Sequence, residues 1–299
     1  MVLDPVKGTV FFCLTGLGTM GNISVFVSYM HMFQSTEKKP IYLILAHLAL
    51  TNIIMLLSKG MPKTIEAFNF GNFLDDTSCK VVVYLARASR GLSICTSSLL
   101  TVVQAITISP RHSRWQRFTL KTPQHIVSSL LFFWILNFLI SMNLPYYIKS
   151  INSTNITQVR KSGNYCYFLP ESWITRWIFL ILMVLRDAVF QGAMGGASGY
   201  MVSLLHKHHQ HVLYLQKAKL LCRTPPELRA AQSVLLLMFC FLFFYWADCF
   251  ISLIFTFFLE NYSKILYVPE FLTLGYAVIS PFILIQRDGH LTTKYCHTQ

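Results

Sequence analysis

Charged side chains stand where the surrounding sequence is too apolar to hold them: Arg87 and Arg90, Arg176, Arg186 and Asp187, and Asp248. A charge in lipid is costly, so such residues face a bundle interior or a wet cavity. Read as helices, their stretches put Arg90, Arg186 and Asp248 about 16, 20 and 16 Å from the same end, at about 1.5 Å rise per residue. Arg87 lies three residues before Arg90 and shares its helix face. The chemistry open to this set is ligand binding. Arg90 and Arg186 would take an acid or carbonyl group, with Asp187 or Asp248 as resting counter-ions. The alternative is a closed salt-bridge network that only fixes helix packing. Tyr84, Tyr245, Trp246 and Tyr276 would supply an aromatic wall to such a cavity, although core or lipid-facing packing is the better reading of any one of them taken alone. Arg176 and Lys80 lie near a stretch end, where their heads snorkel to the headgroups.

Seven long apolar stretches hold these residues. Their charge-free cores run Val10 to Phe33, Ile41 to Ser58, Gly91 to Ser109, Ile126 to Ile148, Ala188 to Leu205, Ala230 to Ala247 and Phe271 to Gln286. A hydrocarbon core of roughly 30 Å takes about 20 helical residues. The last core is short, and the third and fifth reach full length only with charged residues at their ends. Backbone groups in lipid must bond within their own segment, so the spans must be helical. The expectation is an all-α membrane protein, a seven-transmembrane helix bundle. Residues 1–299 form a single domain with spans near 9–31, 41–61, 79–108, 126–148, 173–205, 230–259 and 270–286. The chain is 54% hydrophobic and 12% charged, against about 25% charged in soluble domains. Its mean hydropathy is +0.50.

Lys and Arg placement orients the bundle. With the N-terminus outside and the C-terminus cytoplasmic, the inner segments gather the positive charge, including Arg111, Arg114, Lys207, Lys219 and Arg229, while the outer segments balance. The net charge of +13 is therefore mostly a topology signal. A nucleic-acid surface fits poorly, because the basic residues are spread over separate loops. The sequons at Asn152, Asn155 and Asn261 all fall outside in this orientation, as glycosylation requires.

Of eight cysteines, Cys79 opens the third span and Cys166 lies in the second outer loop. Both face an oxidising compartment, where a disulfide between them would pin that loop over the bundle. Cys13, Cys95, Cys240 and Cys249 read as small packing residues, and Cys222 and Cys296 as reduced cytoplasmic thiols. Gly192, Gly195, Gly196 and Gly199 form small-xxx-small pairs on the fifth span. They are expected to pack against a neighbouring helix of the same chain, with self-association as the alternative. Pro281 is expected to kink the seventh span. His206, His208, His209 and His211 suit a polar cap at the headgroup level better than a metal site, because no Cys or carboxylate completes a ligand set.

No enzyme constellation is found: HExxH, G-x-S-x-G and the P-loop are all absent. No lysine stands between Phe271 and Gln286 to form a Schiff base. No cofactor is implied. An odd number of spans without an internal repeat argues against the common transporter plans, which leaves a channel or transporter subunit as a minor alternative.

Further residues carry a family resemblance. The second span reads His47-Leu-Ala-Leu-Thr-Asn52 and then Lys59-Gly-Met-Pro62. The third gives Gln104-Ala-Ile-Thr-Ile-Ser-Pro110 and then Ser113-Arg-Trp115. Tyr165-Cys166 follows the sequons. The fifth reads Arg186-Asp187, Ala197-Ser-Gly-Tyr-Met201 and Leu204-Leu-His-Lys-His208. Thr224-Pro-Pro-Glu-Leu-Arg-Ala230 enters the sixth. In this order they resemble the vomeronasal type 1 receptors, G-protein-coupled pheromone receptors, over nearly the whole chain. The chain departs from the general rhodopsin-like pattern, with Ile108-Ser109-Pro110-Arg111-His112 in place of Asp-Arg-Tyr and Ser280-Pro281-Phe282 in place of Asn-Pro-x-x-Tyr. The resemblance implies a multi-pass plasma-membrane receptor for small, pheromone-like molecules, coupled to an inhibitory-class heterotrimeric G protein. Arg111, Arg114, Lys207, Lys219 and Arg229 would face that partner. A bitter-taste-type chemoreceptor is the related alternative.

Overall fold

A computed structural model describes residues 3–35, 39–68, 75–110, 123–150, 160–162, 166–168, 173–216, 226–258 and 268–295. Helix α1 runs Leu3–Ser35. Helix α2, Pro40–Met55, begins on a proline that needs no amide partner at that position. It passes through a π-helical turn, Leu56–Gly60, into α3, Met61–Ala67. The turn lets the chain come close to α1: a side chain at Gly60 would collide with Thr15. Helix α4, Asp76–Ile108, ends where Ser109 adopts an extended conformation ahead of Pro110, as the residue before a proline prefers. Helices α5 (Pro123–Ser141), α6 (Leu144–Tyr147), α7 (Trp173–Gln216), α8 (Pro226–Phe258) and α9 (Val268–Tyr295) complete the helical set.

Among the described residues six helices are long and apolar enough to cross a membrane, and the shorter Phe271–Gln286 segment of α9 is a seventh apolar stretch. The fourth apolar stretch runs Pro123–Tyr146. It is interrupted after Ser141, where the chain turns at Met142 and Asn143 ahead of Pro145 and resumes as α6, and Ile148 belongs to a strand. Helices α7 and α9 extend to Gln216 and Tyr295, past the apolar limits at 205 and 286. Three short antiparallel strands, β1 (Ile148–Ser150), β2 (Arg160–Ser162) and β3 (Cys166–Phe168), form a sheet in the order β1-β3-β2. That sheet was not legible in a loop of polar and β-branched residues.

The disulfide joins Cys79 to Cys166, tying β3 to the start of α4. The bond is buried with Leu144 and Ile148. At the same end the Asp75 carboxylate accepts from the Ser78 amide at 2.9 Å and caps α4. Hydrogen bonding from the Ser78 side chain, and next from its amide, holds the exposed Asp75 carboxyl below the usual carboxylate range. Its folded pKa is depressed, so the cap is complete above the unfolded value and is lost as pH falls through the folded one. Protection of the Ser78 amide against hydrogen exchange, taken relative to the unstructured rate at each pH, should therefore fall on acidification, and Asp75→Asn should remove that pH dependence. An unchanged acid profile in Asp75→Asn would refute the cap.

Helix α4 is the axis of the bundle: 83% of its apolar window is buried, against 11% for α7. Its small residues Ser89, Gly91, Ser93, Ser97 and Ser98 let neighbours close in. Around it Leu45, Leu48, Leu92, Leu100, Ile126 and Met194 form the main core. Buried polar groups staple the helices. Asn22 donates to the Ala277 carbonyl at 2.8 Å, and Asn52 donates to Ser280 at 2.8 Å. The Trp134 indole donates to His47 Nε2 at 3.0 Å. An indole N–H only donates, so Nε2 is unprotonated and Nδ1–H faces Thr96 Oγ1 at 3.0 Å.

The glycine stripe of α7 does not pack within the bundle. Added Cβ atoms at Gly192, Gly195, Gly196 and Gly199 would meet nothing within 4 Å. Small residues permit close approach without dictating which way the helix turns. Trp246, also a candidate for the cavity wall, is 61% exposed and faces away from the bundle. Helix α9 continues through Pro281, which packs against the α1 backbone near Gly21.

Candidate functional site

The charged residues of α4, α7 and α8 meet in two ion pairs. Arg90 Nη1 lies 2.7 Å from Asp248 Oδ2, joining α4 to α8. Arg186 Nη2 lies 2.6 Å from Asp187 Oδ1 within α7. Arg186 also donates to Asn137 Oδ1 of α5 at 2.8 Å. This crossing depends on Gly91, because a Cβ there would overlap both Asn137 and the Arg186 guanidinium. Thr273 of α9 donates to Asp248 Oδ1 at 3.1 Å.

Tyr245 connects the two pairs. Its hydroxyl donates to Asp187 Oδ2 at 2.7 Å, while the Arg90 guanidinium lies 5.1 Å from its ring centroid, a cation–π contact. Five helices, α4, α5, α7, α8 and α9, thus share one polar network in which two arginines cancel two aspartates. In low dielectric a satisfied network of this kind is rigid, and breaking one member exposes the rest.

Beside the network lies a cavity of about 30 Å³ between α2, α4, α8 and α9, walled by Arg90, Tyr245, Asp248 and Tyr276 together with Ser93 and Thr273. Met55, Phe241, Phe244 and Leu272 supply its apolar wall. Phe244 is seated against Gly275, where a Cβ would strike its ring. Tyr276 is stacked edge-on to Phe241 and shares a 3.2 Å hydrogen bond with Ser97. A volume of this size has room for about one or two waters. Pockets for drug-sized molecules measure about 300–1,000 Å³, so a larger guest requires α8 and α9 to part.

Of the sequence candidates, Arg90, Tyr245, Asp248 and Tyr276 line this cavity, and Arg186 and Asp187 join it through Tyr245. Tyr84 and Arg87 do not line it. The Tyr84 hydroxyl donates to the Phe138 carbonyl at 3.0 Å, and its ring stacks on Phe138. Arg87 Nε donates to Met183 Sδ at 3.0 Å, and Nη1 reaches Asn143 at 3.5 Å. Lys207 is exposed on α7, and Arg229 lies in the first turn of α8. Arg111, Arg114, Lys219, Asn152, Asn155 and Asn261 lie outside the described residues. Sequence reasoning missed Asn137, Ser93, Thr273, Gly91 and Gly275, whose types are ordinary in any helix. The one available signal was Gly91 next to Arg90, a small residue beside a buried charge.

The family model of the vomeronasal organ pheromone receptor family matches residues 6–297. The chain belongs to this family. It is 33% identical to vomeronasal type-1 receptor 4 of Homo sapiens, covering 92% of this chain and 91% of that one. It is also 33% identical to vomeronasal type-1 receptor 90 of Rattus norvegicus, over 96% and 92%. Against olfactory receptor class A-like protein 1 of Danio rerio the figures are 28% identity, 97% and 91%. Squid rhodopsin shares the fold, with a TM-score of 0.68 at 16% identity, covering 94% of this chain and 76% of that one. This vomeronasal-type receptor is thus a multi-pass plasma-membrane protein of a receptor family, not an enzyme family. Where Asp-Arg-Tyr is missing, the receptor ties the end of α4 to α7 through Ser109 Oγ and the Tyr200 hydroxyl, 2.8 Å apart.

Proposed function

We propose that this receptor binds a small molecule in the cavity between α4, α8 and α9 and signals to a heterotrimeric G protein of the inhibitory class. The observation that carries this reading is the cavity itself: an apolar wall closed on one side by the Arg90–Asp248 ion pair, which joins α4 to α8. In this reading residues 1–299 are one receptor domain, with the N-terminus and the disulfide outside and the C-terminus cytoplasmic. The sequons at Asn152, Asn155 and Asn261 then face the glycosylation machinery. Arg111, Arg114, Lys207, Lys219 and Arg229 face the G protein.

The mechanism is a population shift. A guest too large for about 30 Å³ of space favours the arrangement in which α8 and α9 have parted, in proportion to its differential affinity. Tyr245 rides on α8, so parting withdraws its hydroxyl from Asp187 and changes how α7 sits against α8. That movement reaches the far end of α7, where Tyr200 meets Ser109. Tyr84 and Arg87, nearer the disulfide, would line the entry path.

Expression with a promiscuous G protein and a calcium readout, screened against volatile and steroid-acid panels, tests the reading. The expected result is a response that disappears when the 111–122 loop is replaced by a neutral sequence, with ligand binding retained. A surface-expressed receptor silent to every panel, or antibody access to a carboxyl-terminal tag on intact cells, would overturn it.

A further inference from the structure

The polar groups around the cavity are almost all occupied by one another. Arg90 is paired with Asp248, Thr273 donates to Asp248, Tyr245 donates to Asp187, and Tyr276 shares its hydroxyl with Ser97. Ser93 differs. It is 2% exposed, it stands in the cavity wall, and its hydroxyl has no hydrogen-bond partner among the described residues. A buried hydroxyl without a partner is uncommon and carries a desolvation cost that a guest can relieve.

Charge balance decides what kind of guest. An acid on the remaining N–H groups of Arg90 would set a second carboxylate beside Asp248, so that two anions share one guanidinium. A cation would have to displace Arg90 from the Asp248 carboxylate. Either newcomer sheds its own hydration and leaves the balanced cluster with an excess charge, which is unfavourable. An uncharged group meets no such barrier, and the rest of the wall, Met55, Phe241, Phe244 and Leu272, suits an apolar body.

Resting on the cavity reading above, we infer that Ser93 is the polar anchor for the ligand and that the site selects uncharged molecules carrying a hydrogen-bonding group on an apolar body, with both ion pairs left closed. The arginines shape the cavity and do not receive the ligand's head group. This reverses the role first expected of Arg90 and Arg186.

The test uses the full chain, tagged for surface counting, and compounds of one chain length: an alkane, its alcohol, its ketone, its carboxylate and its primary ammonium. The alcohol or the ketone should activate the receptor, with the carboxylate and ammonium inactive at the same concentration. Ser93→Ala, at equal surface level, should raise the half-maximal concentration roughly tenfold, the worth of about one neutral hydrogen bond. The comparison across compounds is made on the unaltered receptor, so it stands even if Ser93→Ala does not reach the surface. Activation confined to the carboxylate or the ammonium, or an unchanged response in Ser93→Ala, overturns the inference and leaves the receptor reading intact. Silence to all five also overturns it, while the broad screen decides the receptor reading separately.

Discussion

Arg90→Ala should destabilise the bundle by about 3–5 kcal/mol, Asp248→Ala should cost less, and Arg90→Leu combined with Asp248→Leu should restore most of the loss. The expectation follows from what each change strands. Breaking a buried ion pair leaves an uncompensated charge, whereas removing both charges leaves a packing problem only. The order of the two single effects comes from exposure. The Asp248 side chain is 6% exposed and the Arg90 side chain 31%. Asp248 stranded without Arg90 keeps one hydroxyl partner, Thr273. Arg90 stranded without Asp248 keeps the face of the Tyr245 ring and reaches some solvent. Thermal unfolding of purified protein in detergent, with all variants in a double-mutant cycle, measures each step. A double variant as unstable as the sum of the singles would show that the pair is not the source of the effect. Signalling by a folded double variant would further show that the charges shape the cavity without touching the ligand.

The second large effect belongs to the disulfide. Cys79→Ser with Cys166→Ser should lower stability by about 2–4 kcal/mol. The bond closes a loop over a sequence separation of 87, and chain entropy alone would give about 4–5 kcal/mol for such a loop. The lower figure is expected here because α5 lies inside that loop. An apolar helix stays in the bilayer when tertiary contacts are lost, so the unfolded chain is already restrained. The loss should appear first at the disulfide end, where Leu144 and Ile148 pack on the sulfurs. Limited proteolysis between β2 and α7 should become faster in the variant. Equal melting temperatures with and without the bond would mean that the sheet holds this end by itself.

How far the chain could be read beforehand follows from which quantities are local. Depth along a helix axis depends only on residue count, so Arg90 and Asp248 were placed at one level and do pair. Rotation about the axis is set by neighbours, and there the reading ran out. It left Arg186 a choice of counter-ion, and the structure joins it to the adjacent Asp187 and to Asn137. It grouped Arg87 with Arg90, yet Arg87 is turned towards Met183. It aimed the α7 glycines inward, and they face out; it left Trp246 between the cavity wall and a lipid-facing position, and Trp246 faces out.

By itself, then, the sequence determined the number of apolar stretches, the cysteines that would meet, and the family, because length, hydropathy and motif order are properties of the chain read in one dimension. Tertiary structure alone decided that two arginines and two aspartates cancel through Tyr245, that Gly91 makes room for the Arg186 crossing, and that Ser93 is left without a partner among the described residues. Those facts depend on helix rotation and side-chain direction, which many helices with the same apolar pattern satisfy differently until packing selects one arrangement.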